Sequence, residues 1–383
     1  PWIHDFAAYD FWAKPMGLLI LAAILRRQGL RVSYIDCLDR FHPKAHSQDP
    51  TARYGRGPYL KTTISKPSGL ENIPRRFSRY GIKPEWLKAD LVNLLRPDIV
   101  LVTSLMTYWY PGVKETSAAV RTVFPDSTII LGGIYATLCR DHAVKTVGAD
   151  QVITGPGESQ IMEIVAAHTG YPAHLQPMDD PDTWPRPAFD LQHRIAYIPL
   201  LTAIGCPYQC AYCASHFLNP TFKRRSSQAV VDEIQFWYRR YGVIDFVFYD
   251  DALLIDPESH ALPIFESIIR SDLKVRLHSP NGMHIRGIND KVARLMHRAG
   301  MKTLRLGLET TSFSTRAQMD RKVNQAEFDQ AANCLKRAGF RREQVGAYLL
   351  VGLPDQLVAS VEASIHVVKK IGLTPVLAHY TPI

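Results

Sequence analysis

The stretch Leu201-Thr-Ala-Ile-Gly-Cys206-Pro-Tyr-Gln-Cys210-Ala-Tyr-Cys213 carries three cysteines in a C-x3-C-x2-C spacing. The cysteines come directly after residues 197–203, an apolar run typical of a buried parallel strand. Thiolates ligate iron–sulfur clusters, and a cubane has four irons, so a loop with three cysteines leaves one iron open to an exogenous group. Cys206, Cys210 and Cys213 are therefore expected to hold a catalytic [4Fe-4S] cluster after a strand.

A zinc site is the alternative for this loop, since His216 lies close enough in the sequence to be a fourth ligand. The compact spacing without a second C-x2-C pair is atypical of structural zinc. Six cysteines in 383 residues do not make a disulfide scaffold. Cys37, Cys139 and Cys334 are expected to be buried thiols.

Strands and helices alternate regularly around and after the cysteine loop. The apolar runs predict six strands, at residues 197–203, 244–249, 274–279, 302–308, 345–351 and 374–379. Six βα repeats indicate a partial parallel (β/α)6 barrel over residues 196–383. In such a fold the chemistry gathers on the loops that follow the strands, so the residues just after each strand are the candidates for a site.

The first part of the chain predicts a doubly wound, Rossmann-like α/β domain over residues 1–170. The pattern places helices at 16–28, 85–95, about 113–123 and after Glu158, and strands at 32–35, 99–103, 128–131 and 151–153. Because a strand normally precedes the first helix of such a domain, we expect that strand to lie upstream of Pro1.

Two segments interrupt this alternation. Residues 41–84 show no clear period and are interpreted as an insertion of unknown role. Residues 171–195 are rich in Pro and Asp, which is typical of a linker between the two domains.

The composition is that of an ordinary globular protein, with 46% hydrophobic and 21% charged residues. No window approaches the roughly 18 apolar residues of a membrane span, and no signal peptide is evident, so a cytoplasmic location is expected. The net charge of +9 is spread along the chain without zinc-finger or RNP-type spacing, which argues against a nucleic-acid partner. The charge is interpreted first as a solvated basic surface, and anionic substrates or cofactors would also account for it.

The motif CPYQCAYC after a barrel strand resembles the CxxxCxΦC signature of the radical S-adenosylmethionine (SAM) superfamily, with Tyr212 as the aromatic residue Φ. The resemblance implies that SAM binds the open iron through its amino and carboxylate groups. One electron, from a donor such as flavodoxin or ferredoxin, then cleaves SAM to a 5'-deoxyadenosyl radical. The substrate would be a small molecule or a peptide, and the cofactors would carry the chemistry while the protein positions them.

Further residues at strand ends are interpreted as SAM contacts, and several have structural alternatives. Asp250 and Asp251 suit an ammonium or ribose hydroxyls, or a helix N-cap. Asn281 stands in a Pro-Asn-Gly segment that equally makes a turn. Arg305-Leu-Gly-Leu-Glu309 resembles the family's GLES segment. The expected SAM set is Tyr212, Arg225, Asp250, Asp251, Asn281, Arg305, Glu309 and Gly352.

Two members of that set rest on local sequence context. Gly352, in Leu350-Val-Gly-Leu-Pro-Asp, is similar to the family's adenine-contact segment, where the backbone approaches the ring. Arg225 belongs to the basic stretch Lys223-Arg-Arg-Ser226, which either serves a carboxylate or faces solvent.

A doubly wound domain before such a barrel resembles the cobalamin (B12)-binding subfamily, and Gly155-Pro-Gly157-Glu158 matches the GxGE segment found there. The D-x-H-x-x-G motif that supplies an axial histidine in other B12 proteins is absent, and this subfamily commonly manages without it. The residues expected to contact cobalamin are Ser104, Thr107, Gly132, Gly133, Gly155, Gly157 and Glu158, although these glycines also suit tight strand–helix turns. The aromatic residues 108–110 suit either a planar ligand or a domain contact.

The sequence therefore predicts a radical SAM enzyme that uses cobalamin to transfer a methyl group to an unactivated carbon. A rearrangement, cyclisation or oxidation without bound cobalamin is the alternative within the same barrel chemistry. A non-enzymatic metal- or RNA-binding protein is the alternative of another class.

Overall fold

The structure is a computed structural model that describes residues 1–8, 11–172, 178–313, 319–320 and 322–383. The chain forms two compact units, residues 1–196 together with Ile383, and residues 197–382. The expected linker, residues 171–195, falls within the first unit apart from 173–177, which lie outside the described residues.

A small antiparallel sheet opens the first unit. Its strands are β1 (Ile3–Asp5), β2 (Lys61–Thr63) and β3 (Ser78–Tyr80), and β3 lies in the middle. The region expected to be an insertion thus supplies two strands, of which β3 pairs with β1 at the start of the chain and β2 pairs with β3. Helix α1 (Met16–Arg27) follows, as predicted.

The predicted strand at 32–35 is wrong, since this segment joins no sheet among the described residues. Both edges of β3 are already taken by β1 and β2. The chain turns instead at Asp36, whose carboxylate accepts a hydrogen bond from Leu38 N at 2.8 Å. An apolar run alone does not specify a strand, because strand formation depends on the neighbours that the tertiary fold brings beside it.

A parallel sheet forms the second layer of this unit, with β4 (Ile99–Val102), β5 (Thr128–Leu131) and β6 (Gln151–Val152) side by side in chain order. Its apolar side chains, including the fully buried Ile129 and Leu131, pack against the helices. The helices are α2 (Pro84–Val92), α3 (Tyr110–Val123), α4 (Ile134–Leu138), α5 (Arg140–Thr146) and α6 (Ile161–Thr169). The α/β fold with parallel strands that the sequence predicts is confirmed.

The second unit is built on a six-stranded, all-parallel sheet in which neighbouring strands follow one another along the chain, apart from one inserted hairpin. The sheet strands are β7 (Ile198–Leu200), β10 (Asp245–Phe248), β11 (Arg276–Met283), β12 (Met301–Glu309), β13 (Val345–Val351) and β14 (Thr374–His379), and the hairpin strands are β8 (Ala203–Ile204) and β9 (Lys223–Arg224). All six predicted strands are present, which confirms the partial barrel.

Six helices accompany these strands: α7 (Ser215–Leu218), α8 (Ser227–Tyr241), α9 (Ala261–Arg270), α10 (Asp290–Arg298), α11 (Gln325–Arg337) and α12 (Val358–Ile371). Side-chain caps mark several starts, such as Ser226, which accepts a hydrogen bond from Ala229 N before α8. The central strands are buried on both faces, as parallel strands covered by helices require.

No helix in the described part of the chain has the length and apolar character needed to cross a membrane.

Candidate functional site

The cysteine loop lies at the carboxyl end of the first barrel strands, between β8 and α7. It begins at Gly205, whose φ of +78° and close approach to Thr221 O leave no room for a side chain. Within the loop Cys213 N donates to Cys210 O at 3.0 Å. Cys210 is buried, while Cys206 and Cys213 are half-buried.

The three thiols have polar neighbours. Cys206 Sγ lies 3.8 Å from His284 Nε2, and Cys213 Sγ lies 3.3 Å from Ser215 Oγ. Burial raises the pKa of the Cys206 and Cys210 thiols, and the positive charge of Lys322 counteracts this. Coordination by a cationic metal centre would remove these protons, because the thiolate is the ligand form.

The donor set fits an iron–sulfur cluster. The described His, Cys, Asp and Glu side chains include no group of three or more that could hold a metal ion. A [4Fe-4S] cluster binds each thiolate through a different iron, so its cysteines stand further apart than the ligands of one ion. His216, the fourth ligand of the zinc alternative, packs against the Phe217 ring with centroids 3.9 Å apart.

A charged network lies beside the cysteine loop. Tyr212 Oη donates a 2.6 Å hydrogen bond to the buried Asp320 carboxylate. Lys322 Nζ lies 5.3 Å from the centroid of the Tyr212 ring and 4.0 Å from Glu309 Oε1. Burial, the Glu309 charge and the bond to Asp320 raise the pKa of Tyr212 well above its ordinary value, so this phenol stays protonated.

Glu309 ends β12 with a φ of +65°, a left-handed conformation that a residue with a side chain rarely adopts. Its side chain is only 11% exposed. Such backbone strain persists where the surrounding structure fixes it, and it is common at functional sites. Arg305 lies further back on β12, where its Nη1 donates to Leu304 O at 3.0 Å.

Asp250 follows β10 and is almost fully buried. Its Oδ1 accepts hydrogen bonds from Thr202 N, Thr202 Oγ1 and Ala203 N at 2.6–2.9 Å, so it holds the backbone that leads into the cysteine loop. Its Oδ2 has no hydrogen-bond partner among the described residues. Burial raises the pKa of Asp250 to about 6, against the lowering effect of the Thr202 and Ala203 hydrogen bonds.

Two of the polar residues expected at strand ends lie close to Asp250. Asn281 Nδ2 donates to Tyr249 O at 2.8 Å and to Asp250 O at 3.3 Å, and therefore ties β11 to the end of β10. Asp251 is partly buried, which raises the pKa of its carboxyl, while a hydrogen bond from Ser215 and the charge of Lys322 lower it.

Arg225 faces the protein interior. Its Nη1 donates to Glu233 Oε2 at 2.7 Å and to Leu201 O at 3.0 Å. The two side chains are 13% and 3% exposed, so they form a buried ion pair between the end of β9 and α8. The guanidinium is thereby committed to a structural contact.

Gly352 follows β13 with a φ of +90°, and an added Cβ would meet nothing within 4 Å. Gly352 N donates to Gln356 Oε1 at 2.8 Å. The glycine is therefore required by its backbone conformation, and the space beside it is open.

In the first unit, the structure brings the expected cobalamin residues to one edge of the parallel sheet, since they follow β4, β5 and β6. Gly133 has a φ of +92°, and a Cβ there would come within 2.7 Å of Ser104 O. Gly155 N donates to Thr137 Oγ1 at 3.1 Å, which joins the last loop to α4.

The remaining residues of this edge leave a partly open cradle. Nothing would lie within 4 Å of a Cβ at Gly132 or Gly155, whereas one at Gly157 would meet Leu21. Thr107 begins a short 3-10 helix. Burial raises the pKa of the Glu158 carboxyl. These residues present backbone amides and little side-chain bulk, which fits the binding of a ligand at this edge.

The loop after β4 exposes three apolar side chains at the same edge, Leu105, Met106 and Tyr108, which are 37%, 40% and 46% exposed. Of the aromatic residues 108–110, Trp109 is buried and donates to Asp5 Oδ2, and Tyr110 packs on Tyr135. Tyr108 alone of the three is available for stacking on a planar ligand.

Sequence reasoning missed several residues of the barrel site: Thr202, His260, His284, Asp320 and Lys322. His284 directly follows β11, so the rule that examines strand ends would have found it. Asp320 and Lys322 belong to no helix or strand, and no local pattern indicates their approach to the cysteines.

Comparisons with known proteins agree with this geometry. The family profile of the Radical SAM superfamily matches residues 200–368, and that of the B12 binding domain matches residues 87–165. These matches indicate an enzyme and disfavour the non-enzymatic alternative.

Curated relatives align with much of this chain. An uncharacterized methyltransferase of Pyrococcus horikoshii is 22% identical over 324 residues, 76% of this chain and 69% of the relative. The anaerobic magnesium-protoporphyrin IX monomethyl ester cyclase of Cereibacter sphaeroides is 23% identical over 72% of this chain, which spans about half (49%) of the cyclase.

Among solved structures, the radical SAM methyltransferase TsrM of Kitasatospora setae, with tryptophan and a SAM analogue bound, has a TM-score of 0.69. The match is 16% identical and covers 96% of this chain and 70% of TsrM, which shows a shared fold. Another structure of TsrM holds cobalamin and a [4Fe-4S] cluster. With a family profile matched at each of the two candidate sites, the chain contains a B12-binding domain followed by a radical SAM domain.

Proposed function

We propose that this protein transfers a methyl group from SAM, by way of bound cobalamin, to an unactivated carbon of a small-molecule or peptide substrate. The observation that carries the proposal is the presence in one chain of a three-cysteine cluster loop and an open, glycine-lined sheet edge, each within its matching family profile. Similarity to relatives named as methyltransferases supports the reaction type.

Cys206, Cys210 and Cys213 would hold the cluster, which when bound would supply the one-electron chemistry for reductive cleavage of SAM. A low-potential protein such as flavodoxin or ferredoxin would supply the electron. Glu309, Asp251 and the open backbone at Gly352 would orient SAM at the strand ends. The partial burial of Glu309 and Asp251 would limit water around the bound cofactor and strengthen their electrostatic interactions with it.

The other residues first expected to contact SAM would have supporting roles: they would hold neighbouring elements in place or lie beside the cofactor. Asp250 and Asn281 hydrogen-bond the strand ends next to the cysteine loop, and Arg225 forms an ion pair with Glu233 of α8. Tyr212 and Arg305 would stand beside the cofactor, because one adjoins a cluster ligand and the other shares β12 with Glu309.

For cobalamin, we propose contacts with Ser104, Thr107 and Glu158, and with the backbone at the glycines of the three loops. The exposed Leu105, Met106 and Tyr108 would cover apolar parts of the corrin and remove them from water. A sheet edge with open glycines suits the large ring better than bulky side chains would.

The test is anaerobic reconstitution with iron, sulfide and hydroxocobalamin, followed by desalting and an ultraviolet-visible spectrum. We expect corrin bands together with cluster absorption, and 5'-deoxyadenosine after addition of SAM and a reductant. Absence of corrin bands in the desalted protein would overturn the cobalamin assignment. Absence of SAM cleavage by a protein with a full cluster would overturn the radical chemistry.

The similarity to the anaerobic cyclase favours a second candidate, an oxidative cyclisation or rearrangement. SAM with a deuterated methyl group separates the two reactions. A product that gains the labelled methyl supports methyl transfer, whereas a product of unchanged carbon count, formed together with 5'-deoxyadenosine, supports the second candidate.

A further inference from the structure

Met319 and Asp320, which belong to no helix or strand, hold Lys322 against the cysteine loop. Ala211 N donates to Met319 O at 3.0 Å, so Met319 binds the backbone between two cysteines. Asp320 accepts from Tyr212 Oη through one carboxylate oxygen and from Lys322 N through the other. These contacts fix the position of the lysine relative to Cys210 and Cys213.

The ammonium of Lys322 is mostly shielded from water, with 14% of the side chain exposed. Its distance to the Glu309 carboxylate is 4.0 Å, well beyond the 2.7–2.9 Å of a strong charge-assisted hydrogen bond. The same ammonium lies 5.3 Å from the centroid of the Tyr212 ring, on the loop between Cys210 and Cys213. Its positive charge acts against the rise that burial causes in the pKa of the Cys206 and Cys210 thiols. A largely shielded positive charge therefore lies beside the cluster loop.

One-electron reduction makes a thiolate-ligated cluster more negative by one charge. A nearby cation stabilises the reduced form more than the oxidised form, and hydrogen bonds to cluster sulfurs act in the same direction. Because Lys322 is shielded from solvent, salt and water screen this effect only partly.

We propose that Lys322 is a positioning residue that raises the reduction potential of the cluster held by Cys206, Cys210 and Cys213. In the step concerned, the cluster gains one electron from a low-potential donor, which loses one, and no bond forms or breaks. The inference rests on the proposed cluster. The protein, through Lys322, would then control how readily the cluster accepts that electron.

The test is a redox titration of the reconstituted protein without SAM, followed by electron paramagnetic resonance of the reduced cluster. Lys322→Met should lower the ratio of reduced to oxidised cluster at the wild-type midpoint on the order of tenfold, a downward shift of about 59 mV for a one-electron couple. Lys322→Arg keeps the charge and should change that ratio by less than about threefold.

A matched control comes from the same strand that carries Glu309. Lys302 is exposed near the start of β12, at the opposite end from Glu309, so Lys302→Met removes one charge far from the cysteines. Its titration should coincide with that of the wild type. A shift equal to that of Lys322→Met would assign the effect to net charge and overturn the proposal.

A second variant should change the ratio of reduced to oxidised cluster in the opposite direction. Asp320→Asn removes a negative charge from the same network and should raise the ratio of reduced to oxidised cluster. If Lys322→Met fails to assemble a cluster, Asp320→Asn is the deciding variant. An unchanged or lowered ratio of reduced to oxidised cluster in Asp320→Asn then overturns the proposal. A wild-type protein that binds no cluster would defeat the proposed function itself, whereas a titratable wild-type cluster that neither variant shifts defeats only the role of Lys322.

Discussion

The carboxylates that follow the barrel strands have different tasks according to what surrounds them. Asp250 is buried, and its Oδ1 accepts three hydrogen bonds from the backbone and hydroxyl that precede the cysteine loop. Glu309 has a strained backbone, and its side chain meets a buried lysine at 4.0 Å. The first residue therefore sets the position of the ligands, and the second offers charge to the site.

A single thiol should be indispensable for the cluster. Cys210→Ala should reduce bound iron and formation of 5'-deoxyadenosine at least about a hundredfold, because two thiolates cannot replace the third ligand. Iron analysis and chromatography of the nucleoside measure both. Cys334→Ala, which alters a buried thiol of α11, should retain both properties, and equal loss in the two variants would contradict the assignment.

His260 should make the protein sensitive to acid. Burial, and then the charge of Arg224, lower its pKa to about 4, while the unfolded chain keeps a value of about 6.5. The unfolded state therefore takes up the proton first, so the stabilisation is complete above pH 6.5 and is lost as pH falls towards 4. The loss from this residue by pH 5 is about 2 kcal/mol.

His260→Gln should remove that part of the acid sensitivity, since glutamine can still hydrogen-bond Thr202 Oγ1, which lies 2.8 Å from the imidazole. Urea unfolding at pH 7 and pH 5 measures the difference for both proteins. His284, whose pKa is also lowered to about 4, is present in both and cancels from the comparison. An equal loss of stability in the two proteins would exclude His260 as its source.

At the scale of elements, the end of β9 is joined to α8 by the Arg225–Glu233 ion pair. Arg225→Met would leave the Glu233 carboxylate buried without its guanidinium, which should cost about 3–5 kcal/mol of unfolding free energy. Urea denaturation of the reconstituted protein measures this cost.

Two further variants separate the ion pair from general effects. Arg239→Met changes an exposed arginine of the same helix and should stay within about 0.5 kcal/mol of the wild type. Arg225→Met combined with Glu233→Met should recover much of the loss, because no unpaired charge then remains buried. If the double variant is as unstable as the single one, the ion pair is not the cause.

Local sequence patterns predicted the elements that have a strong apolar period. All six barrel strands were predictable because parallel strands buried on both faces form continuous apolar runs, such as Phe246–Phe248. The β8–β9 hairpin was not, since strands of two residues have no period. The false strand at 32–35 shows the converse, because a suitable apolar run joins no sheet in the described part of the chain.

The candidate site was likewise predictable only where a local sequence motif marks the residue. The cysteines and Glu309 stand in motifs that the sequence displays. Lys322 stands 109 or more positions from the cysteines it faces, and only the tertiary fold brings it there. The roles of Arg225 and Asp250 depended in the same way on partners that no spacing reveals.

For the whole molecule, two cofactor sites in two compact units should load independently. Gly133→Val would press a side chain against Ser104 O in a left-handed conformation, and should abolish cobalamin binding while bound iron stays unchanged. Cys210→Ala should do the reverse. Corrin absorption and iron content, measured on the same samples, check both expectations.

A neutral change provides the comparison. Gly17 lies in α1, where an added Cβ meets nothing within 4 Å, so Gly17→Ala should keep both cofactors. Loss of iron in Gly133→Val, or of corrin in Cys210→Ala, would show that the two sites do not load separately.

The left-handed backbone at Glu309 has a consequence for protein engineering. Glycine adopts this conformation without strain, and asparagine does so more readily than glutamate, so either substitution should relieve on the order of 1 kcal/mol. Selection for heat resistance alone would therefore enrich variants that have discarded the carboxylate. A campaign to make a robust catalyst from this protein should score turnover in every round, or hold codon 309 fixed.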